Sequence, residues 1–468
     1  MKAFNIAVLM GLVGVACSLT WATEEKARIL TPEDDLPRAI VGDYRVDFTR
    51  NGAFVVSRNG HYLFDGGLIH AVPEWSEWGT QIRRSDHSDS WELDPQHRTR
   101  LVTRGTLFDL NRNERFAFVQ QVEPRPRGLR FSYDVTPLAQ RELANFGLVL
   151  HFPIAETANG RVTFWPGFHG ALMPAEFQAE ALESCRARAA TIWTSDRPRL
   201  AVVGDDDMDW TVHDDRRWGL NTFRLIGSHG AVTESLGRGD SASFSFEVLL
   251  GGAVSSRLPL GPGGCESDRY RRFAIFLGGT KIAEGGLAWE GEPVRWLYET
   301  AAPADARPPE VGWEVATLSN ATDGQGTSVT YSMGLRAESD AEVAVTYTVL
   351  EPAGEQLRGS VKLLLAVPAS EVVSAPSAET SDDAAGALAP AVPQRQVLRH
   401  IMQVAYRSGA TLQLMADQPW AITEATVSEQ ECHMLSISTH KTEDGGLTAS
   451  VRLRLVMGQT TGNGRPSQ

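Results

Sequence analysis

Cysteine is scarce: the chain holds four in 468 residues, with no CxxC pair among them. A thiolate zinc site therefore has no support, and a dense disulfide framework is excluded. Cys17 falls in the leading apolar segment, which leaves Cys185, Cys265 and Cys432, an odd and widely spaced set. These read as three small apolar core residues, with a Cys185–Cys265 bridge as the alternative in an oxidising compartment. Positive charge is also short, with 44 Lys plus Arg against 58 acidic residues and a formal net charge of −14. Nucleic-acid binding needs clustered cations against phosphate, so that class of partner is excluded. GxSxG, HExxH and P-loop patterns are missing, which disfavours lipase, zinc-protease and nucleotide chemistry. Gly261-Pro262-Gly263-Gly264-Cys265 comes nearest to a phosphate loop, but no lysine or helix signal follows it. No cofactor is expected.

Long apolar runs are confined to the start. Residues 1–22 place Lys2 before a short apolar core, Phe4 to Val15, and end in Thr20-Trp21-Ala22 with small residues at the cleavage positions. That is the pattern of a secretory signal peptide, and its core is too short for a comfortable membrane span. A periplasmic or extracellular location follows, with no spanning segment after cleavage. Lipoprotein anchoring through Cys17 is the lesser alternative, because Gly14 stands where a lipobox has an aliphatic residue.

What fills the rest is alternation with a period of two. In Leu129-Arg130-Phe131-Ser132-Tyr133-Asp134-Val135 the apolar residues share one face of a strand. The same holds for Phe244, Phe246, Val248 and Leu250, for Val343, Val345, Tyr347 and Val349, and for Val451, Leu453 and Leu455. Antiparallel sheets with one wet face produce this pattern. Asn51-Gly52 and Asn59-Gly60 flank Ala53–Ser57 and predict a three-strand meander, since Asn-Gly tolerates the positive φ of tight hairpins. Gly204–Asp207 and Asp214–Arg217 read as two further turns. Helical spacing is limited to Thr136–Asn145 and Pro174–Arg188.

The fold class is therefore all-β, with two antiparallel sandwich domains. The first is placed at 23–258 and the second at 313–458, joined by a Gly- and Pro-rich connection at 259–312 that carries some order of its own. An Ala-, Pro- and Ser-rich stretch at 374–393 reads as a flexible insertion, and 459–468 as a polar tail. The second domain is a supporting module or a surface for a protein partner.

Gly42-Asp43-Tyr44-Arg45-Val46-Asp47-Phe48 through Phe64-Asp65-Gly66-Gly67 has a distinctive rhythm. It continues in Gln120-Gln121-Val122, Gly128–Asp134 and Leu148-Val149-Leu150-His151-Phe152-Pro153. Over residues 35–250 this resembles the galactose mutarotase-like β-supersandwich. The resemblance implies a large twisted two-sheet fold in a sugar-related setting. That family's pair of histidines and glutamate has no residue-by-residue match here.

Candidate chemistry clusters where aromatics meet carboxylates. Glu74-Trp75-Ser76-Glu77-Trp78, followed by His87, Trp91 and His97, offers indole faces for sugar rings and paired acids for glycoside cleavage. Its alternative is a wide loop whose tryptophans pack on a sheet edge. Trp165 and His169 form an aromatic turn, and His151 lies on a strand facing away from Leu150 and Phe152. The candidate catalytic residues are thus Glu74, Glu77, His151 and His169; the ligand-binding set is Trp75, Trp78, Trp91, Trp165, Arg216 and Trp218. Arg216-Arg217-Trp218 can fork onto an acidic sugar or neutralise its own turn. No metal site is favoured; Asp205, Asp207 and Asp209 make a weak calcium candidate without EF-hand spacing. These readings converge on an exported protein that binds carbohydrate or polysaccharide, with glycoside hydrolase, lyase or epimerase chemistry as its catalytic form. The alternative is a non-catalytic cell-envelope structural or adaptor protein.

Overall fold

In the computed structural model the described residues are 28–30, 36–82, 90–93, 100–125, 128–165, 167–194, 197–251, 255–268, 272–278, 280–289, 295–296, 298–299, 319–322, 328–351, 361–373, 377–380, 400–416, 418–427, 430–441 and 447–457. The leading segment 1–22 with Cys17, His87, His97 and the tail 459–468 lie outside them. The protein is nearly all β, in antiparallel sheets, as the alternation requires.

The first sheet opens with the expected meander. Tyr44–Phe48, Phe54–Arg58 and His61–Ala71 pair in sequence, and Asn59 and Gly60 take φ of 51° and 81° at the tight turn. His61–Ala71 then pairs with Asn145–Pro153, which pairs with Thr222–Ser228, which pairs with residues 209–214 of the long strand Arg197–Asp214. A second layer runs through Leu101–Phe108, Glu114–Arg125, Gly128–Pro137 and Ala242–Leu250. It closes on the other half of the same long strand, at Leu200–Gly204.

One strand therefore serves both layers, and a bulge lets it do so. Along its pairing with Glu183–Thr194 the register jumps from Ala187↔Met208 to Ala189↔Val203. The extra residues bend and twist the strand, which is how sheets turn corners. Gly204–Asp207, expected as a turn, is this bulge. Between the layers lies an aromatic core in which Phe54 and Phe131 sit 4.8 Å apart and Phe131 and Phe246 stack at 5.2 Å.

Helix placement differs from expectation. Thr136–Asn145 ends a strand, crosses a loop and starts another strand, while 174–182 is irregular and Glu183–Thr194 is a strand. Alternating burial overrides the local helical spacing there. The longer helix is instead Gly230–Arg238, which buries Val232, Thr233 and Leu236 and ends at Gly239 with φ of 91°. Gly230 at its start and Gly237 near its end hide it from propensity reasoning.

A second sandwich of two sheets follows around its own core, in which Leu287, Leu363 and Leu435 of one sheet share a cluster with Val345, Leu412 and Leu453 of the other. The segment 259–312, read as a connection, supplies the strands Gly263–Asp268, Phe273–Leu277 and Thr280–Trp289, and the last of these pairs with Val361–Pro368. Within the 374–393 stretch, read as an insertion, Ser377–Thr380 forms a strand against His400–Ala405. Cys265 keeps a free thiol, so the alternative of a Cys185–Cys265 bridge does not hold.

The two sandwiches meet over a buried ionic cluster. Arg161 pairs with Glu266, and Glu284 accepts from Lys281 at 3.2 Å, from the Gly167 N–H at 3.0 Å and from Arg272 at 3.5 Å. Lys281 also donates to the carbonyls of Phe164 and Gly167. Arg272 and Lys281 both lie over the Trp165 ring, at 4.6 and 4.0 Å.

Candidate functional site

A row of polar side chains crosses four neighbouring strands of the first sandwich. Cross-strand register sets Asp65 opposite His151, His151 opposite Arg224, and Arg224 opposite His213. Alternation sends Leu68, Leu148, Leu150, Phe223, Leu225 and Val212 of these strands into the aromatic core. Asp65, His151, Arg224 and His213 occupy the intervening positions and so face the other way. Beside them on that face Ile69, Val149 and Ile226 form a small apolar patch against which Ile82 packs.

The row is internally organised. Asp65 accepts from the Tyr62 hydroxyl at 2.7 Å, and its other oxygen lies 3.0 Å from His151 Nδ1. A carboxylate on Nδ1 fixes the imidazole plane and directs Nε2 outward, where it has no hydrogen-bond partner among the described residues. Arg224 Nε lies 3.2 Å from Asp215 Oδ1, and the Asp215 side chain is fully buried. Burial pushes the Asp215 carboxyl up against the opposing pull of Arg224. Burial, then Arg224 and Arg217, push His213 down to about 4, so it is neutral at physiological pH.

Two tryptophans stand beside the row's Arg224. Trp218 ends the turn Asp215–Trp218, in which Asp214 caps the Arg216 N–H, and the residue is 52% exposed. It stands 4.6 Å from the Arg224 guanidinium and 5.9 Å, edge to face, from His213. Trp75 lies on the opposite connection, 5.6 Å from the same guanidinium. Both Glu74 and Trp75 take positive φ, 59° and 56°. Neither residue type favours that region, so the backbone holds strain where it presents the indole.

Of the residues singled out by sequence, His151, Trp75 and Trp218 come together here, and exposed Glu74 precedes Trp75. The others fall elsewhere. Glu77 is bound by Arg115 and Arg141, and Trp78 is half-buried on a short strand against Ala71. Trp91 lies on the strand Ser90–Leu93, with its side chain outside the described part. Trp165, expected at a ligand rim, is buried at the interface between the sandwiches. His169 sits 3.4 Å from Glu183 on the same side of the fold as that interface hairpin. Arg216 neutralises its own turn, gripping Asp214 and the carbonyls of Pro174 and Ala175. Asp205, the first of the weak calcium set, is held by Arg130 and Ser245. Among the described residues no three His, Cys, Asp or Glu converge to hold a metal.

Asp65, Arg224 and His213 were missed. Their signal is a lone charge inside an apolar strand, as in Leu63-Phe64-Asp65-Gly66 and Phe223-Arg224-Leu225-Ile226. Such a residue on a strand's solvent side needs partners, which only the neighbouring strands reveal.

No family model matches the chain, and no curated protein matches it. Among solved structures, the crystal structure of the Slr1438 protein from Synechocystis sp. PCC 6803 overlaps 48% of this chain and 96% of its own, at 10% identity and a TM-score of 0.30. A likeness of that size carries no argument about fold or function. Among the described residues no helix is long and apolar enough to cross a membrane.

Proposed function

We propose that this is an exported carbohydrate-binding protein whose ligand face is the solvent side of the strands carrying Asp65, His151, Arg224 and His213. The observation that carries the reading is the placement of two exposed indoles, Trp75 and Trp218, beside the Arg224 guanidinium of one polar row. Sugars present C–H faces and hydroxyl edges, and aromatic platforms beside hydrogen-bonding groups satisfy both. The Asp65–His151 pair adds acid–base capacity, because an oriented imidazole with a free Nε2 can give or take a hydroxyl proton. Turnover of a sugar at this face would run through His151, with Asp65 as the positioning residue.

Truncating a partly exposed indole removes a ligand platform with little loss of core. Trp218→Ala is expected to weaken glycan binding at least tenfold on a glycan array followed by calorimetry, with the melting temperature unchanged. Trp165→Ala is expected to do the reverse, since removing a buried Trp costs about 3–5 kcal/mol. Unaltered glycan affinity in Trp218→Ala would remove the ligand face from this row.

A further inference from the structure

Arg224 has an unusual set of neighbours for a half-buried cation. Its side chain is 12% exposed, and its one ion pair among the described residues is the contact from Nε to Asp215. Nε is buried and lacks a hydrogen bond of good geometry, and so does Asp215 Oδ1. The terminal nitrogens make no hydrogen bond among the described residues, yet they are not among the buried, unsatisfied atoms. They therefore reach the surface of the fold. Two indole rings occupy space beside the guanidinium, and Asp215 blocks its Nε side. What stays open is the edge that carries the two terminal nitrogens.

A guanidinium edge with two parallel N–H donors matches a carboxylate in shape and charge. Two carboxylates near the guanidinium are already engaged. Asp65 is occupied by Tyr62 and His151, and Asp215 is sequestered behind Arg224. Arg217, whose guanidinium lies 5.6 Å from the Trp218 ring, adds a second positive charge at the rim. His151 Nε2 and the neighbouring His213 are placed to bond ring hydroxyls beside the carboxylate.

We propose that Arg224 is a carboxylate fork that makes this face selective for uronic-acid residues over neutral sugars. The proposal rests on the carbohydrate reading above and narrows it to a substrate class.

The test uses the mature protein and oligosaccharides of galacturonate, glucuronate, mannuronate and guluronate, each paired with its carboxyl-reduced neutral counterpart, plus a sulfated neutral oligosaccharide. Affinities are measured by isothermal titration calorimetry. At least one uronate chain should bind ten times or more tighter than its reduced partner. Arg224→Gln should erase that preference, and Trp218→Ala should weaken the acidic and reduced forms together. Arg224→Lys keeps the charge without the planar fork, so it should also lose most of the preference, and it serves if the glutamine variant does not fold. Equal binding of acidic and reduced chains, a preference untouched by both Arg224 variants, or binding of the sulfated chain alone would overturn the fork while leaving carbohydrate binding intact. Failure of every oligosaccharide to bind would overturn both.

Discussion

At the residue scale, one imidazole on the polar row and one in the core share a consequence that pH exposes. His70 is fully buried, with Nε2 3.3 Å from the Phe108 carbonyl, and burial pushes it down to about 4. His213 is depressed to the same range. Both are neutral in the fold at pH 6, whereas in the unfolded chain a histidine takes up its proton near pH 6.5. The unfolded state thus binds more protons between about pH 6.5 and 4. The stability these residues contribute is complete above that interval and is lost as pH falls through it, by about 1.4 kcal/mol per pH unit for each. His213→Gln should therefore lose correspondingly less stability between pH 6 and 5 than the parent, measured by urea denaturation at each pH. Parallel slopes for parent and variant would mean that His213 ionises freely in the fold. Of this scale the sequence disclosed His151, Trp75 and Trp218, because an aromatic or a histidine out of pattern is visible in one dimension. It did not disclose that Trp165 is covered, because the residues that cover it, Arg272 and Lys281, lie more than a hundred positions away.

At the element scale, the site depends on two strands approaching closely. A Cβ on Gly147 would lie 2.0 Å from the Gly227 carbonyl oxygen and 2.9 Å from Ser228 Cα, both backbone atoms of the partner strand. The pair Asn145–Pro153 and Thr222–Ser228 is also the one that sets His151 beside Arg224. Gly147→Ala should then cost about 1–3 kcal/mol or more by forcing the strands apart. It should also weaken glycan binding, although residue 147 lies four positions from His151. Thermal melts together with glycan calorimetry check both effects, and an unchanged melting temperature would show that the sheet absorbs the methyl group. Strands and tight turns were readable because alternation and Asn-Gly chemistry act locally. The bulge at Gly204–Asp207 was read as a turn because both use the same small and acidic residues. What separates them is whether the chain reverses, and here it continues into residues 209–214.

At the scale of the molecule, the two sandwiches are joined through charge as well as apolar contact. Glu284 has no exposed surface and receives Lys281, Arg272 and the Gly167 N–H from both sides of the junction. Removing one partner of a buried ion pair strands the others, at about 3–5 kcal/mol, whereas replacing a pair by apolar residues is often close to neutral. Glu284→Gln should therefore lower stability by that amount and split calorimetric unfolding into two transitions. A single transition in Glu284→Gln would show that the apolar contacts of Trp165, Phe168 and Phe276 suffice to couple the sandwiches.

The sequence by itself determined that the chain is predominantly β, where the strands of clean alternation run and which face of each is apolar. Those are local properties, set by period and turn type within a few residues. Tertiary structure alone decided the assembly of Asp65, His151, Arg224 and His213, whose strands are separated by up to some 150 positions yet lie side by side. It also decided that the strands Gly263–Asp268, Phe273–Leu277 and Thr280–Trp289 belong to the second sandwich and that Trp165 faces a lysine instead of solvent. The physical reason is that strand pairing is a contact between distant segments, and register, once set by burial of one face, places every opposite-face residue with it.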